Sequence, residues 1–178
     1  MDVIQVHDKT FKPYIAADEI TRKVNELASA IEKDYEGKIP VFIVILNGSF
    51  MFAADMFKAL TMPAEICFIK LASYKGTKSS GQVLTSIGLD VDLIDRHVII
   101  LEDIIDTGKT MHEFLPQLLH QHPASLKICT LLHKPEAGKF PITIDYCGFT
   151  IPDKFVVGYG LDYDGLGRNI KEIYQVVE

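Results

Sequence analysis

The run Val98-Ile99-Ile100-Leu101-Glu102-Asp103-Ile104-Ile105-Asp106-Thr107-Gly108-Lys109-Thr110 concentrates side chains able to do chemistry. An apolar stretch delivers two adjacent carboxylates, Glu102 and Asp103, and Asp106 follows before Thr107, Gly108, Lys109 and Thr110 open what reads as a helix. Backbone N–H groups at a helix start, assisted by threonine hydroxyls and the positive end of the helix dipole, can hold a dianionic phosphate, and a glycine there lets the backbone approach closely. Glu102 and Asp103 would meanwhile bind ribose hydroxyls or a metal ion. The pattern therefore suits a sugar phosphate. Gly108-Lys109-Thr110 copies the ending of a Walker A loop, but that motif needs a glycine five positions earlier, where Asp103 stands. A plainer reading is a solvated turn with its helix cap at Asp106 or Thr107.

These residues need a rigid frame, and the apolar pattern supplies one. Val41 to Leu46 is continuously apolar, as a strand covered on both faces of a parallel sheet must be, and Asn47-Gly48-Ser49 breaks it. Ile66 to Leu71, His97 to Leu101 and Ile128 to Leu132 read as further buried strands, while Phe50 to Leu60 and Met111 to His120 read as helices. Earlier, Ile20, Val24, Leu27, Ala28 and Ile31 recur at helical spacing behind a cap at Asp18, with Gly37 and Pro40 as the stop. Strand, turn, helix and strand alternate. This predicts an α/β fold, an open sheet whose right-handed crossovers leave ligands at the carboxyl ends of the strands. Residues 73–86 are different, being rich in Ser, Thr, Gly and Lys, and read equally as a mobile lid or a solvated hairpin.

Composition narrows the function. With 178 residues, 48% of them apolar, the chain has material for one substantial core, so residues 1–178 are expected to form a single domain. A mean hydropathy of +0.16 and the lack of an apolar run near the roughly 20 residues needed to cross a bilayer predict no membrane partner. No secretory signal is visible at the start, which predicts an intracellular protein. A net charge of -6 argues against broad binding to nucleic acid. Cys67, Cys129 and Cys147 are widely spaced among strand formers and read as buried free thiols, and His112, His120 and His122 lack any metal-binding spacing.

The segment Leu101 to Thr110 resembles the phosphoribosyl pyrophosphate motif of type I phosphoribosyltransferases, in the form found in hypoxanthine-guanine phosphoribosyltransferases. The resemblance implies a central, mostly parallel sheet flanked by helices, with a small hood built from the chain ends. It implies that Glu102 and Asp103 hold the ribose hydroxyls and a metal, that Asp106 is catalytic and faces N7 of the purine, and that Asp106, Thr107, Gly108, Lys109 and Thr110 cradle the 5-phosphate. Leu46-Asn47-Gly48-Ser49-Phe50 is similar to the family's pyrophosphate loop, although many relatives carry Lys at 47 and Gly at 49; Asn47 and Gly48 are its candidates. Ser73-Tyr74 resembles the start of the mobile catalytic loop. Lys134 matches the lysine that meets the 6-oxygen of the base, a contact that favours an oxo over an amino substituent. In Pro152 to Tyr163, Phe155 is implied to stack on the purine, Val156 to read its edge through its backbone, and Asp162 to bind magnesium. Arg168 matches a pyrophosphate ligand, with Gly167 and Lys171 where relatives often have an aromatic residue and proline.

The resemblance thus implies an Mg2+-dependent, cytoplasmic purine-salvage enzyme whose small-molecule substrates are phosphoribosyl pyrophosphate and a 6-oxopurine base, and which assembles as a homodimer or homotetramer. Two other readings stand beside it. One is a pyrimidine or xanthine phosphoribosyltransferase, since the sugar-phosphate motif is shared more widely than the base pocket. The other is a regulator that keeps the fold as a sensor and binds RNA or DNA.

Overall fold

The computed structural model describes residues 2–72, 84–87 and 89–177. Its main sheet follows from alternation inside apolar strands. Strands β3 (Val41–Leu46), β4 (Glu65–Ala72), β6 (His97–Ile105), β7 (Ser125–His133) and β8 (Tyr146–Thr150) are parallel, and β5 (Leu84–Ile87) adds an antiparallel edge on β4. Successive side chains of a strand point to opposite faces. Phe42, Val44, Ile99 and Leu101 accordingly meet helices α1 (Ala17–Asp34) and α2 (Phe50–Ala59) on one face. Val41, Ile43, Ile45, Val98 and Ile100 meet α3 (Lys109–Leu119) on the other, through Met111, Phe114 and Leu118. Both faces are covered by apolar layers, which is why β3 is apolar at every position and β6 is apolar from Val98 to Leu101.

The five residues read as the buried face of α1 are buried as expected. The cap differs: the helix already begins at Ala17, Ala16 precedes it, and Glu19 Oε2 accepts the Ala16 N–H at 3.1 Å, leaving Asp18 in the first turn beside the positive end of the dipole. Its far end is tied to the turn after α2 by Glu32, which accepts hydrogen bonds from Thr61 N–H, Thr61 Oγ1 and Met62 N–H. The regular strand–helix alternation fails after β7. There Pro135–Ala137 forms one 3-10 turn, and an irregular segment instead of an α-helix returns the chain to β8. All three cysteines are free; Cys67 and Cys129 are buried, but Cys147 is exposed, because β8 is the edge strand on that side.

The sheet order β5-β4-β3-β6-β7-β8 decides where a ligand can sit. From β3 the chain moves outward to β4 on one side, and then returns to place β6 on the other. Between β3 and β6 the connections therefore leave in opposite directions and open a crevice at the carboxyl ends of the strands. A second, antiparallel sheet stands as a hood: β1 (Ile4–Val6), β2 (Lys9–Ile15), β10 (Ile173–Val176) and β9 (Val156–Val157), in the order β1-β2-β10-β9. It has a small core of its own in Val6, Phe11, Val157 and Tyr174. Among the described residues no helix is long and apolar enough to cross a membrane.

Ile100 is fully buried at the centre of this arrangement. Ile100→Ala is expected to cost about 2–5 kcal/mol, through lost transfer energy and the cavity left behind. Urea denaturation would show a lower midpoint with an unchanged slope; a loss below about 1 kcal/mol would mean that α3 collapses onto the gap.

Candidate functional site

Pairing of β6 with β3 ends at Leu101, whereas its pairing with β7 runs on to Ile105. Glu102 and Asp103 thus lie within β6, not after it, at the point where one neighbour has already turned away. Glu102 is buried, and its Oε1 accepts the Ser49 hydroxyl at 3.3 Å and the Asp103 N–H at 3.2 Å. Asp103 Oδ1 accepts the Ile104 N–H at 2.8 Å. Neither is ion-paired to a described lysine or arginine. Burial, and then the charge of Asp103, pushes the Glu102 carboxyl well above the ordinary carboxylate range. Burial raises Asp103 too, opposed by its hydrogen bonds and by the positive charge of Arg168.

The turn after β3 closes tightly over this pair. A Cβ added to Gly48 would overlap the Asp103 carboxylate, so any other residue there would force that carboxylate to move. Ser49 is fully buried and directly precedes α2, and in the sequence it stood out only as a departure from the relatives' glycine. A third segment arrives in the same way: Gly160, at φ +98°, packs its α-carbon against the Gly48 carbonyl. Arg168 Nη1 donates to the Gly160 carbonyl at 2.7 Å, and Arg168 Nη2 pairs with Asp162 Oδ1 at 2.8 Å. Asp162 Oδ2 also accepts the Gly165 N–H at 2.7 Å. The two residues taken from the C-terminal segment are thus each other's partners.

After β6 the chain makes the turn at 106–108 and enters α3. Gly108 caps the helix at φ +80°, and a Cβ there would meet the Phe140 carbonyl at 2.8 Å. Neither Asp106 nor Thr107 is the cap; the Thr107 hydroxyl accepts the Lys109 N–H at 3.3 Å, while the Lys109 ammonium points outward, 3.8 Å from Glu113. Glu102, Asp103, Asp106, Thr107, Gly108, Lys109 and Thr110 line one cavity of about 310 Å3, together with Ile45, Leu46 and Leu71. Helix-start amides, two hydroxyls and a pair of acids facing one space can hold a phosphate beside a polyhydroxylated ring.

Of the other described candidates, Lys134 reaches this cavity through Asp106. Lys134, directly after β7, is buried, with Nζ 3.6 Å from Asp106 Oδ2 and 3.6 Å from Asp153 Oδ1. Phe155 is 42% exposed, which no core residue of its size would be, and meets Tyr163 edge-on at 5.5 Å. Val156 is buried in β9, and Asn47 is exposed. Ser73 and Tyr74 lie outside the described residues, as does most of the polar interval that holds them; its last residues belong to β5, antiparallel to β4. Among the described residues no three His, Cys, Asp or Glu side chains gather as a self-sufficient metal site.

The phosphoribosyl transferase domain model matches residues 15–164, most of the chain. This chain belongs to the phosphoribosyltransferase family. Within that family it is 40% identical to the hypoxanthine-guanine phosphoribosyltransferase of Aquifex aeolicus, over 97% of this chain and 98% of that protein. It is 41% identical to the hypoxanthine-guanine-xanthine phosphoribosyltransferase of Tritrichomonas foetus, over 88% of this chain and 86% of that one. A crystal structure of a hypoxanthine-guanine phosphoribosyltransferase from Bacillus anthracis superimposes with a TM-score of 0.87 at 41% identity, covering 94% of this chain and 97% of the other. The matched phosphoribosyltransferase domain holds every candidate residue except Arg168.

The raised Glu102 carboxyl makes stability depend on pH. The folded chain keeps a proton there that the unfolded chain has already lost, so stability falls as pH rises between the ordinary carboxylate value and the raised folded one. Glu102→Gln removes this penalty while retaining an acceptor for Ser49. Thermal unfolding at pH 7.5 is expected about 2–4 °C higher in the variant, a gap that closes as the pH is lowered toward the ordinary carboxylate range. A gap that persists in acid would assign the effect to packing.

Proposed function

We propose that this chain transfers the 5-phosphoribosyl group of phosphoribosyl pyrophosphate to N9 of hypoxanthine or guanine, a purine-salvage reaction giving IMP or GMP and pyrophosphate. One observation carries the reading: two adjacent carboxylates, raised by burial and paired to no described lysine or arginine, open directly onto a helix-start phosphate cradle in a single cavity. Residues 1–178 act as one functional unit in this reading, and the reaction is placed in the cytoplasm.

The acids also test the expected cofactor. Hard oxygen donors that burial drives toward protonation fit a divalent cation of the magnesium type, which favours their ionised form. Glu102 and Asp103, with the ribose hydroxyls, would hold one Mg2+, and Asp162 a second through water. When bound, magnesium supplies charge neutralisation to the departing pyrophosphate.

The chain's own groups do the rest. The turn from Asp106 to Thr110 anchors the 5-phosphate and so fixes C1 of the ribose. The Asn47–Gly48 backbone and Arg168 donate hydrogen bonds to pyrophosphate, for which Arg168 exchanges its Asp162 partner. Phe155 stacks on the purine, the Val156 backbone reads its edge, and Lys134 donates to the 6-oxygen. The bond from C1 to the pyrophosphate oxygen breaks with its electron pair leaving on that oxygen, and N9 forms the new bond to C1. Asp106 accepts the N7 proton that this attack acidifies. Ser73 and Tyr74, in the role that the resemblance implies, would help to keep water from the reacting carbon.

Assembly as a homodimer or homotetramer is part of the same proposal. In the Phe50-Met51-Phe52 run only Phe52 is core; Phe50 is 42% exposed on α2, an apolar side chain available to a second copy.

Pyrophosphate release, measured with phosphoribosyl pyrophosphate, Mg2+ and each of hypoxanthine, guanine, xanthine, adenine and uracil, tests the reading. Turnover is expected with the first two bases. Asp106→Asn is expected to lower kcat by about 10²–10⁴-fold with little change in KM for phosphoribosyl pyrophosphate. Silence with every base, together with tight RNA binding, would establish the regulator reading instead.

A further inference from the structure

Three adjacent strands each lead into one charged residue at the same place. Asp106 follows β6, Lys134 follows β7, and Asp153 follows β8. The Lys134 side chain is only 7% exposed, and its ammonium lies 3.6 Å from one oxygen of each acid. The two carboxylates themselves are about half exposed, so one buried cation is balanced between two acids that reach it from opposite sides of β7.

We infer that Asp153 is a positioning residue for base recognition, holding the Lys134 ammonium so that Asp106 is released to the purine. The inference rests on the proposed roles of Lys134 and Asp106. With Asp106 as its sole partner, Lys134 would have to break that pair before Asp106 could receive the N7 proton, and a buried ammonium without a partner is costly. The same pair would compete with the 6-oxygen for the Lys134 protons. With a second carboxylate at equal distance, the cation stays compensated throughout. Asp106 can turn to the imidazole edge while Lys134 keeps Asp153 on one side and takes the 6-oxygen on the other; an ammonium has three donors for these tasks. Position supports this assignment, because Asp153 lies two residues before Phe155 in the connection from β8 to β9.

The test is steady-state kinetics of Asp153→Asn, Asp153→Glu, Lys134→Ala and the double variant Asp153→Asn/Lys134→Ala, with hypoxanthine and phosphoribosyl pyrophosphate varied separately. For Asp153→Asn, KM for hypoxanthine is expected to rise about tenfold and kcat to fall, because Lys134 remains on Asp106. KM for phosphoribosyl pyrophosphate and the unfolding temperature should not move. Asp153→Glu keeps the charge and should recover most of the loss. In the Lys134→Ala background Asp153→Asn should add nothing, since its effect passes through that ammonium. An unchanged KM for hypoxanthine in Asp153→Asn, or full additivity in the double variant, overturns the inference while leaving the proposed function intact. A lowered unfolding temperature with both KM values raised assigns Asp153 a structural role and overturns it too. If the unaltered protein releases no pyrophosphate with any base, the proposed function fails and the inference falls with it.

Discussion

The site is organised by the close approach of the Gly48 backbone to the Asp103 carboxylate. A parallel sheet can bring two strand ends side by side, but acids there must then be buried or solvated. This chain buries them, and the cost appears in the raised carboxyls of Glu102 and Asp103. A turn without a side chain at 48 lets the chain close over Asp103 where it lies, and a glycine at 160, at positive φ and against backbone, closes in turn over the Gly48 carbonyl. Arg168, which donates to Gly160 and pairs with Asp162, is positioned through that second contact. Segments far apart in the sequence are thus brought together at positions that carry no side chain.

Charge is distributed with the same economy. The acids at 102 and 103 have no described lysine or arginine in an ion pair with them, whereas Lys134 has two acids at equal distance and Arg168 has one. The proposed function, with a divalent cation and an anionic substrate, would need that asymmetry. Acids neutralised beforehand by the protein would have less to offer a metal, and basic groups left bare in a buried place would be unstable.

Much of the frame was legible in the sequence because burial on both faces leaves an unmistakable trace. The apolar runs of β3, β6 and β7 and the spacing of Ile20, Val24, Leu27, Ala28 and Ile31 could be read directly, and the Glu102 to Thr110 motif pointed to the family. The contacts that depend on loop geometry were not legible. Nothing in the local sequence says that Asp153 shares Lys134 with Asp106, that Ser49 donates to Glu102, or that Arg168 pairs with Asp162, because each contact depends on a fold of the chain that the residues alone do not spell out. The missing helix after β7 and the exposed thiol of Cys147 escaped for a related reason. A short connection at a sheet edge gives neither a period nor full coverage to read. The cap at Ala16 was hidden because Glu19, not the capping residue itself, supplies the acceptor.

The hood bears on the order in which the molecule is made. Its strand at Lys9–Ile15 pairs with Ile173–Val176, and only through that strand does Val156–Val157 join the sheet. Such a distant pairing carries a loop-closure cost and cannot form until the chain has been made through Val176. The β3–β6–β7 framework and the cavity beside α3 can assemble on a nascent chain, because their parts emerge earlier and close together. The wall carrying Phe155 cannot. A ribosome-bound chain passing through this stage would present the finished cavity beside α3 before the strand next to Phe155 is in place, so the two halves of the proposed site would mature at different times.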